Sequence, residues 1–204
     1  MQYEEEILGK NAGSRKQPDE YQGASDNKAS VGRSALLLLR DIGIAIGVII
    51  LILQFVKPTI VFEHSMEDTL HPQDYVFLAR QAYFNSDVEF GDIVVFKSAL
   101  MDQNGTFKNL IKRVIGLPGD VISIQDNSVF RNGERLNEPY TKDGVTLGEM
   151  APITVPNDAY FVLGDNRQVS TDSRSGIVGF VSKSRIEGKV FFRLFPISTA
   201  GRVS

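Results

Sequence analysis

Residues 35–56 read ALLLLRDIGIAIGVIILILQFV. Apart from Arg40-Asp41 and Gln54 the run is apolar on every helical face, and its 22 residues make a helix of roughly 33 Å, enough to cross about 30 Å of hydrocarbon. From Ile42 onward only about 15 residues remain, short for a straight span. The resolution expected is that Arg40 snorkels to one headgroup layer, with the Ala35–Leu39 turn partly interfacial. A cleavable signal peptide fits poorly: 34 residues precede the run, Lys57-Pro58 follows it, and no small-X-small pattern lies just downstream. A buried helix of a soluble domain is seldom this long and apolar all round. The run is therefore expected to be a transmembrane anchor.

Upstream, residues 1–34 hold six acids and five bases, and their few apolar residues keep no period. Such a stretch buries too little surface to offset its ordering entropy, so a polar, disordered tail is expected. Residues 15–34 carry four bases (Arg15, Lys16, Lys28, Arg33), whereas residues 57–76 carry only Lys57. The positive-inside bias places the N-terminus in the cytoplasm and residues 57–204 outside, at the cell membrane. Over all 204 residues, 22 Lys+Arg stand against 25 Asp+Glu, a net charge of −3, with no basic stripe to neutralise phosphates. A nucleic-acid partner is not expected. There is no cysteine, which excludes thiolate catalysis, disulfides and Cys-ligated zinc, and a metal site built on His64 and His71 alone would need carboxylates. No metal or cofactor is expected.

Downstream, β-rich runs recur at 75–79, 93–97, 110–115, 121–124, 129–131, 160–163 and 189–195. They are separated by strand-type punctuation: Gly91-Asp92, Leu117-Pro118-Gly119-Asp120, and the hairpin signal Asn132-Gly133. No long amphipathic helix follows Pro58. The 148 residues 57–204 are expected to form a mainly β domain of antiparallel sheets or a barrel.

Several chemistries can be set aside. His64 directly precedes Ser65, so in an extended segment the two side chains point to opposite faces, and His71 is poorly placed to face Ser65. Ser25-Asp26-Asn27-Lys28 has the Ser-X-X-Lys spacing but lacks its companion motifs and lies in the tail. A Ser-Lys pairing remains. Lys112 sits in the apolar stretch Leu110-Ile111-Lys112-Arg113-Val114-Ile115, where a strand puts it on a face with Leu110 and Val114 and turns Arg113 the other way. A free lysine near pKa 10.4 is only about 0.04% neutral at pH 7, and bringing it toward neutrality costs roughly 3–4 kcal/mol, which burial supplies.

Four blocks then stand in order: His64-Ser65-Met66-Glu67-Asp68-Thr69-Leu70; Gly91-Asp92-Ile93-Val94-Val95-Phe96-Lys97; Lys112-Arg113-Val114-Ile115-Gly116-Leu117-Pro118-Gly119-Asp120; and Gly164-Asp165-Asn166-Arg167-Gln168-Val169-Ser170-Thr171-Asp172-Ser173-Arg174. With the anchor, they resemble bacterial type I signal peptidases in the short form of Gram-positive bacteria. The resemblance implies a membrane-bound Ser/Lys endopeptidase that removes signal peptides from exported preproteins. On it, Ser65 is the nucleophile and Lys112 the general base, and Ser170 bonds the lysine amine. Asp172 and Arg174 form an ion pair beside the site, with Asp165, Arg167 and Arg113 as supporting charges. Its implied partners are signal peptides, the lipid bilayer and the secretion translocon. An extended substrate would add as a strand beside the Ser65 segment, its small side chains entering two shallow apolar pockets.

Two positions depart from the family pattern. Asp68 stands where proline is usual, so the loop after Ser65 loses a rigid element. Glu63 stands where some members have Ser or Gly near the oxyanion hole, and a carboxylate cannot donate there, leaving the Ser65 backbone N–H and another main-chain donor. A self-cleaving Ser-Lys repressor is disfavoured by the anchor and the missing DNA-binding helices. A non-catalytic, membrane-tethered β-domain that binds extracellular partners is the alternative reading.

Overall fold

The structure, a computed structural model, describes residues 23–203. Its first element is α1, Gly23–Phe55, in which the apolar stretch Ala35–Phe55 is long enough to cross a membrane and exposed throughout. The helix starts twelve residues before the apolar run, so residues 23–34, expected within a disordered tail, are helical instead. Ala24, Lys28 and Ala29 are good helix formers, and a helix already nucleated downstream extends at little cost. The rest of the expected tail, residues 1–22, lies outside the described residues.

The strands are β1 Val56–Ile60, β2 Tyr75–Ala79, β3 Ile93–Met101, β4 Phe107–Gly116, β5 Val121–Gln125, β6 Ser128–Arg131, β7 Glu134–Arg135, β8 Met150–Thr154, β9 Ala159–Leu163, β10 Val181–Ser182, β11 Ile186–Phe195 and β12 Gly201–Arg202. They form two antiparallel sheets. The larger runs β1-β2-β11-β3-β4-β9-β10, with β12 beside β11; the smaller runs β7-β6-β5-β8. Mainly β architecture is thus found as expected, in the form of sheets, with the path of the larger one ending at β1 and β10. After Phe55 the described residues contain no α-helix, only short 3-10 turns.

All seven expected strands form. Asn132 and Gly133 join β6 to β7 with φ 55° and 83°, as the two-residue hairpin signal requires. A second such turn, Asp126-Asn127 with φ 47° and 56°, joins β5 to β6 without glycine.

Three apolar clusters hold the domain. The first packs Val94, Phe96, Leu110, Val114, Tyr160 and Val162 around the β3–β4–β9 centre. The second contains Val61, Met66, Leu70, Val76, Leu78 and Val95. The third seats Ile115, Ile122, Ile124, Phe161 and Leu163 where β4 and β9 meet the smaller sheet. The second decides where the site stands. Met66 and Leu70 are buried at the two ends of one turn, closed by Leu70 N–H donating to Met66 O at 2.7 Å. Each such burial contributes about 1.5–3 kcal/mol, so the residue before Met66 is held against the sheet.

Candidate active site

That residue is Ser65, only 6% exposed although it lies in a turn between β1 and β2. Lys112 reaches it from β4. The lysine is fully buried, and its Nζ donates to Ser65 Oγ at 2.7 Å and to Ile111 O at 3.0 Å. Burial lowers the Lys112 pKa; the fields of Glu63, then Asp172 and Asp165, oppose that effect without reversing it. A lysine so placed can hold a neutral amine nearer neutral pH, and the neutral amine accepts a proton from the serine hydroxyl.

The wall behind the pair comes from the segment after β9. Gly164 has no room for a side chain: a Cβ there would collide with the Ser65 carbonyl and with the Ser170 side chain, whose Cβ would be 2.6 Å away. Asn166 N–H donates to Ser65 O at 3.0 Å, and Asn166 Nδ2 to His64 O at 3.2 Å. Asp172 is buried and accepts from Arg174 Nε and Nη2, both at 2.9 Å, and from Gly164 N–H at 3.1 Å. The expected Asp172–Arg174 pair is therefore present, and it also fixes the turn carrying Gly164. Ser170 differs from expectation. Its Oγ is buried and, among the described residues, has no hydrogen-bond partner, so the bond to the Lys112 amine is not formed. It packs beside Gly164 instead, and the Lys112 amine bonds Ser65 Oγ and Ile111 O.

The supporting charges pair across the fold. Arg113 is buried next to Lys112 and grips Asp165 with two bonds, Nε to Oδ1 at 2.9 Å and Nη2 to Oδ2 at 2.7 Å. Its guanidinium lies 4.0 Å from the Tyr140 ring centre. Thr69 Oγ1 donates to Asp165 at 2.5 Å, which ties the end of the Ser65 turn to this pair. Arg167 is held by Glu138 at 2.7 and 2.9 Å and by Thr146 Oγ1.

Sequence reasoning did not find Glu138, Tyr140 or Glu67. Glu67 Oε1 meets His64 Nδ1 at 2.6 Å, while Oε2 accepts from Lys142 at 2.8 Å and from Asn166 Nδ2 at 3.3 Å. The bonds from Lys142 and then His64 hold the Glu67 carboxyl at about 2. His64 is only three residues from Glu67, but Lys142 and Asn166 are 75 and 99 residues away, and no local pattern signals those contacts. His64 is thereby engaged with Glu67, away from Ser65. Among the described residues no three His, Asp or Glu side chains converge as a metal site.

A cavity of about 690 Å³ opens beside Ser65, between Pro58–Glu63 on one wall and Phe107–Asn109 with Ile111 on the other. Among the described residues β1 pairs only with β2, so its other edge is unpaired there.

The chain belongs to the signal peptidase, peptidase S26 family, whose model matches residues 35–195. It is 36% identical over 185 residues to a signal peptidase I of Bacillus amyloliquefaciens, covering 85% of this chain and 96% of that one. Signal peptidase I S of Bacillus subtilis (strain 168) is 34% identical over 177 residues, covering 81% and 92%. A crystal structure of a signal peptidase I from Enterococcus faecalis V583 is 32% identical, with a TM-score of 0.42, covering 51% of this chain and 97% of that chain. The chain is accordingly a serine endopeptidase hydrolase of the signal-peptide-processing kind, with an apolar N-terminal helix suited to a single membrane pass.

Proposed function

We propose that Ser65 and Lys112 form a catalytic dyad that cleaves signal peptides from exported preproteins after a small-X-small sequence. The observation that carries this reading is the 2.7 Å contact between Lys112 Nζ and Ser65 Oγ with both residues buried. Neutral Lys112 takes the hydroxyl proton as Oγ attacks the scissile carbonyl, and the C=O pair moves onto oxygen. The resulting ammonium returns the proton to the leaving amine as the C–N bond breaks, leaving a Ser65 ester. Lys112, neutral again, then deprotonates a water that hydrolyses the ester and restores the serine. Ser65 N–H donates no hydrogen bond among the described residues, which suits it to the developing oxyanion.

The cavity beside Ser65 and the unpaired edge of β1 support an extended substrate that adds as a strand. Flanking bases favour a cytoplasmic N-terminus with the peptidase domain outside, where its partners are preproteins, the lipid bilayer and the secretion translocon.

Preprotein cleavage in detergent tests the reading with wild type, Ser65→Ala and Lys112→Ala. Both variants are expected to fold and to lose at least 10³-fold in activity, and a substrate with a bulky residue just before the scissile bond to resist the wild type. Substantial cleavage by Lys112→Ala rejects lysine as the base.

A further inference from the structure

Three carboxylates act on Lys112, Glu63 most strongly, then Asp172 and Asp165. Two of them have cations of their own: Arg174 grips Asp172, and Arg113 grips Asp165. Glu63 is different. Among the described residues it makes no hydrogen bond or ion pair, it is exposed, and it lines the same cavity as Ser65.

The other charges on the cavity wall do not serve it. Lys57 pairs with Glu187 at 3.2 Å, and Asp102 accepts from the N–H groups of Asn104 and Thr106. Lys108 lines the same cavity from β4 but forms no hydrogen bond or ion pair with Glu63. Protonated Lys112 is a cation that the field of Glu63 favours, so the two charges compensate each other. A general base works as the neutral amine, so in the reactive form that compensation is gone. Glu63 is then a lone anion on a groove walled partly by Ile60, Phe62 and Ile111, where a charge attracts an opposite charge more strongly than in open water.

We propose that Glu63 is a specificity-determining residue, selecting substrates that carry Lys or Arg between the two small residues preceding the scissile bond. This rests on the dyad reading above. The small residues are committed to shallow pockets, whereas the side chain between them is free, and the long stem of Lys or Arg lets its charge reach the carboxylate while its methylenes cover apolar wall.

The test uses the full chain in detergent and three peptides, identical except for Lys, Ala or Glu at that middle position. For wild type, kcat/KM is expected to fall in the order Lys, Ala, Glu, by about two- to fivefold per step, the scale of a partly screened ion pair. Glu63→Gln should level the series and Glu63→Lys should invert it. The Ala peptide is the internal reference for each variant, so a general loss of activity cancels from the ratios. Equal cleavage of the three peptides by wild type, or an order unchanged by both substitutions, overturns the specificity role and leaves the dyad intact. Failure of the wild type to cut any peptide or preprotein overturns the dyad reading, and this inference with it.

Discussion

At the scale of single residues, the site turns on an amine that is fully buried beside a serine and, among the described residues, has no carboxylate in direct contact. Desolvation favours neutral Lys112, while Glu63, Asp172 and Asp165 favour the ammonium. The rate is therefore expected to rise with pH as Lys112 loses its proton, along a limb centred below the ordinary lysine value of about 10.4. Removing the strongest of the three carboxylates destabilises the ammonium, so Glu63→Gln should move that limb to lower pH. On its acid side, activity on a substrate uncharged near the cleavage site should gain about two- to fivefold. The pH profile of kcat/KM checks this; a limb that stays in place or moves up counts against it. The contact between Ser65 and Lys112 was legible because each sits in a recognisable block. Glu67 and Glu138 were not, because Lys142 lies 75 residues from Glu67, and Arg167 lies 29 from Glu138. An isolated surface-type glutamate carries no sign of the cation that folding will bring to it.

Among the elements, β9 does the most to build the site. All five of its residues are buried, and it pairs with β4, the strand of Lys112, before turning at Gly164 into the segment that backs Ser65. Because a Cβ at 164 would meet both the Ser65 carbonyl and Ser170, Gly164→Ala must push one of them aside. Overpacking of this kind costs about 1–3 kcal/mol. Activity is expected to drop at least tenfold, further than the melting temperature suggests, since a small displacement of Oγ from Nζ spoils proton transfer. Near-normal turnover would show that the turn yields elsewhere. Strands of alternating or continuous apolar character, such as 75–79 and 160–163, were readable. β1 and β8 were not, because Pro58 and Pro152 interrupt them, and both turn out to be edge strands, where a missing N–H is tolerated. The Asp126-Asn127 turn escaped notice because two non-glycine residues adopt positive φ there.

For the molecule as a whole, two bidentate ion pairs, Arg113–Asp165 and Arg167–Glu138, lie buried around the segment after β9, with Glu138 coming from the segment that joins β7 to β8 of the smaller sheet. Breaking such a pair leaves a buried charge without its partner. Glu138→Gln is expected to cost about 3–5 kcal/mol in urea or thermal unfolding, and a loss under 1 kcal/mol would show that Arg167 finds another acceptor. The two members of the proposed dyad also belong to unlike parts of the fold. Lys112 lies in β4, hydrogen-bonded on one side to β3 and on the other to β9, whereas Ser65 follows β1, which among the described residues has a neighbour on one side only. Openings of a protein are graded, with least-bonded segments leaving first. Amides of 56–66 should exchange with deuterium well before those of 110–115, and in rising urea cleavage should fade before far-UV circular dichroism changes; coincident loss of the two would mean the fold opens as one. The proposed nucleophile is thus mounted on the part of the sheet expected to let go first, so mild stress should disarm the protease while its framework is still intact.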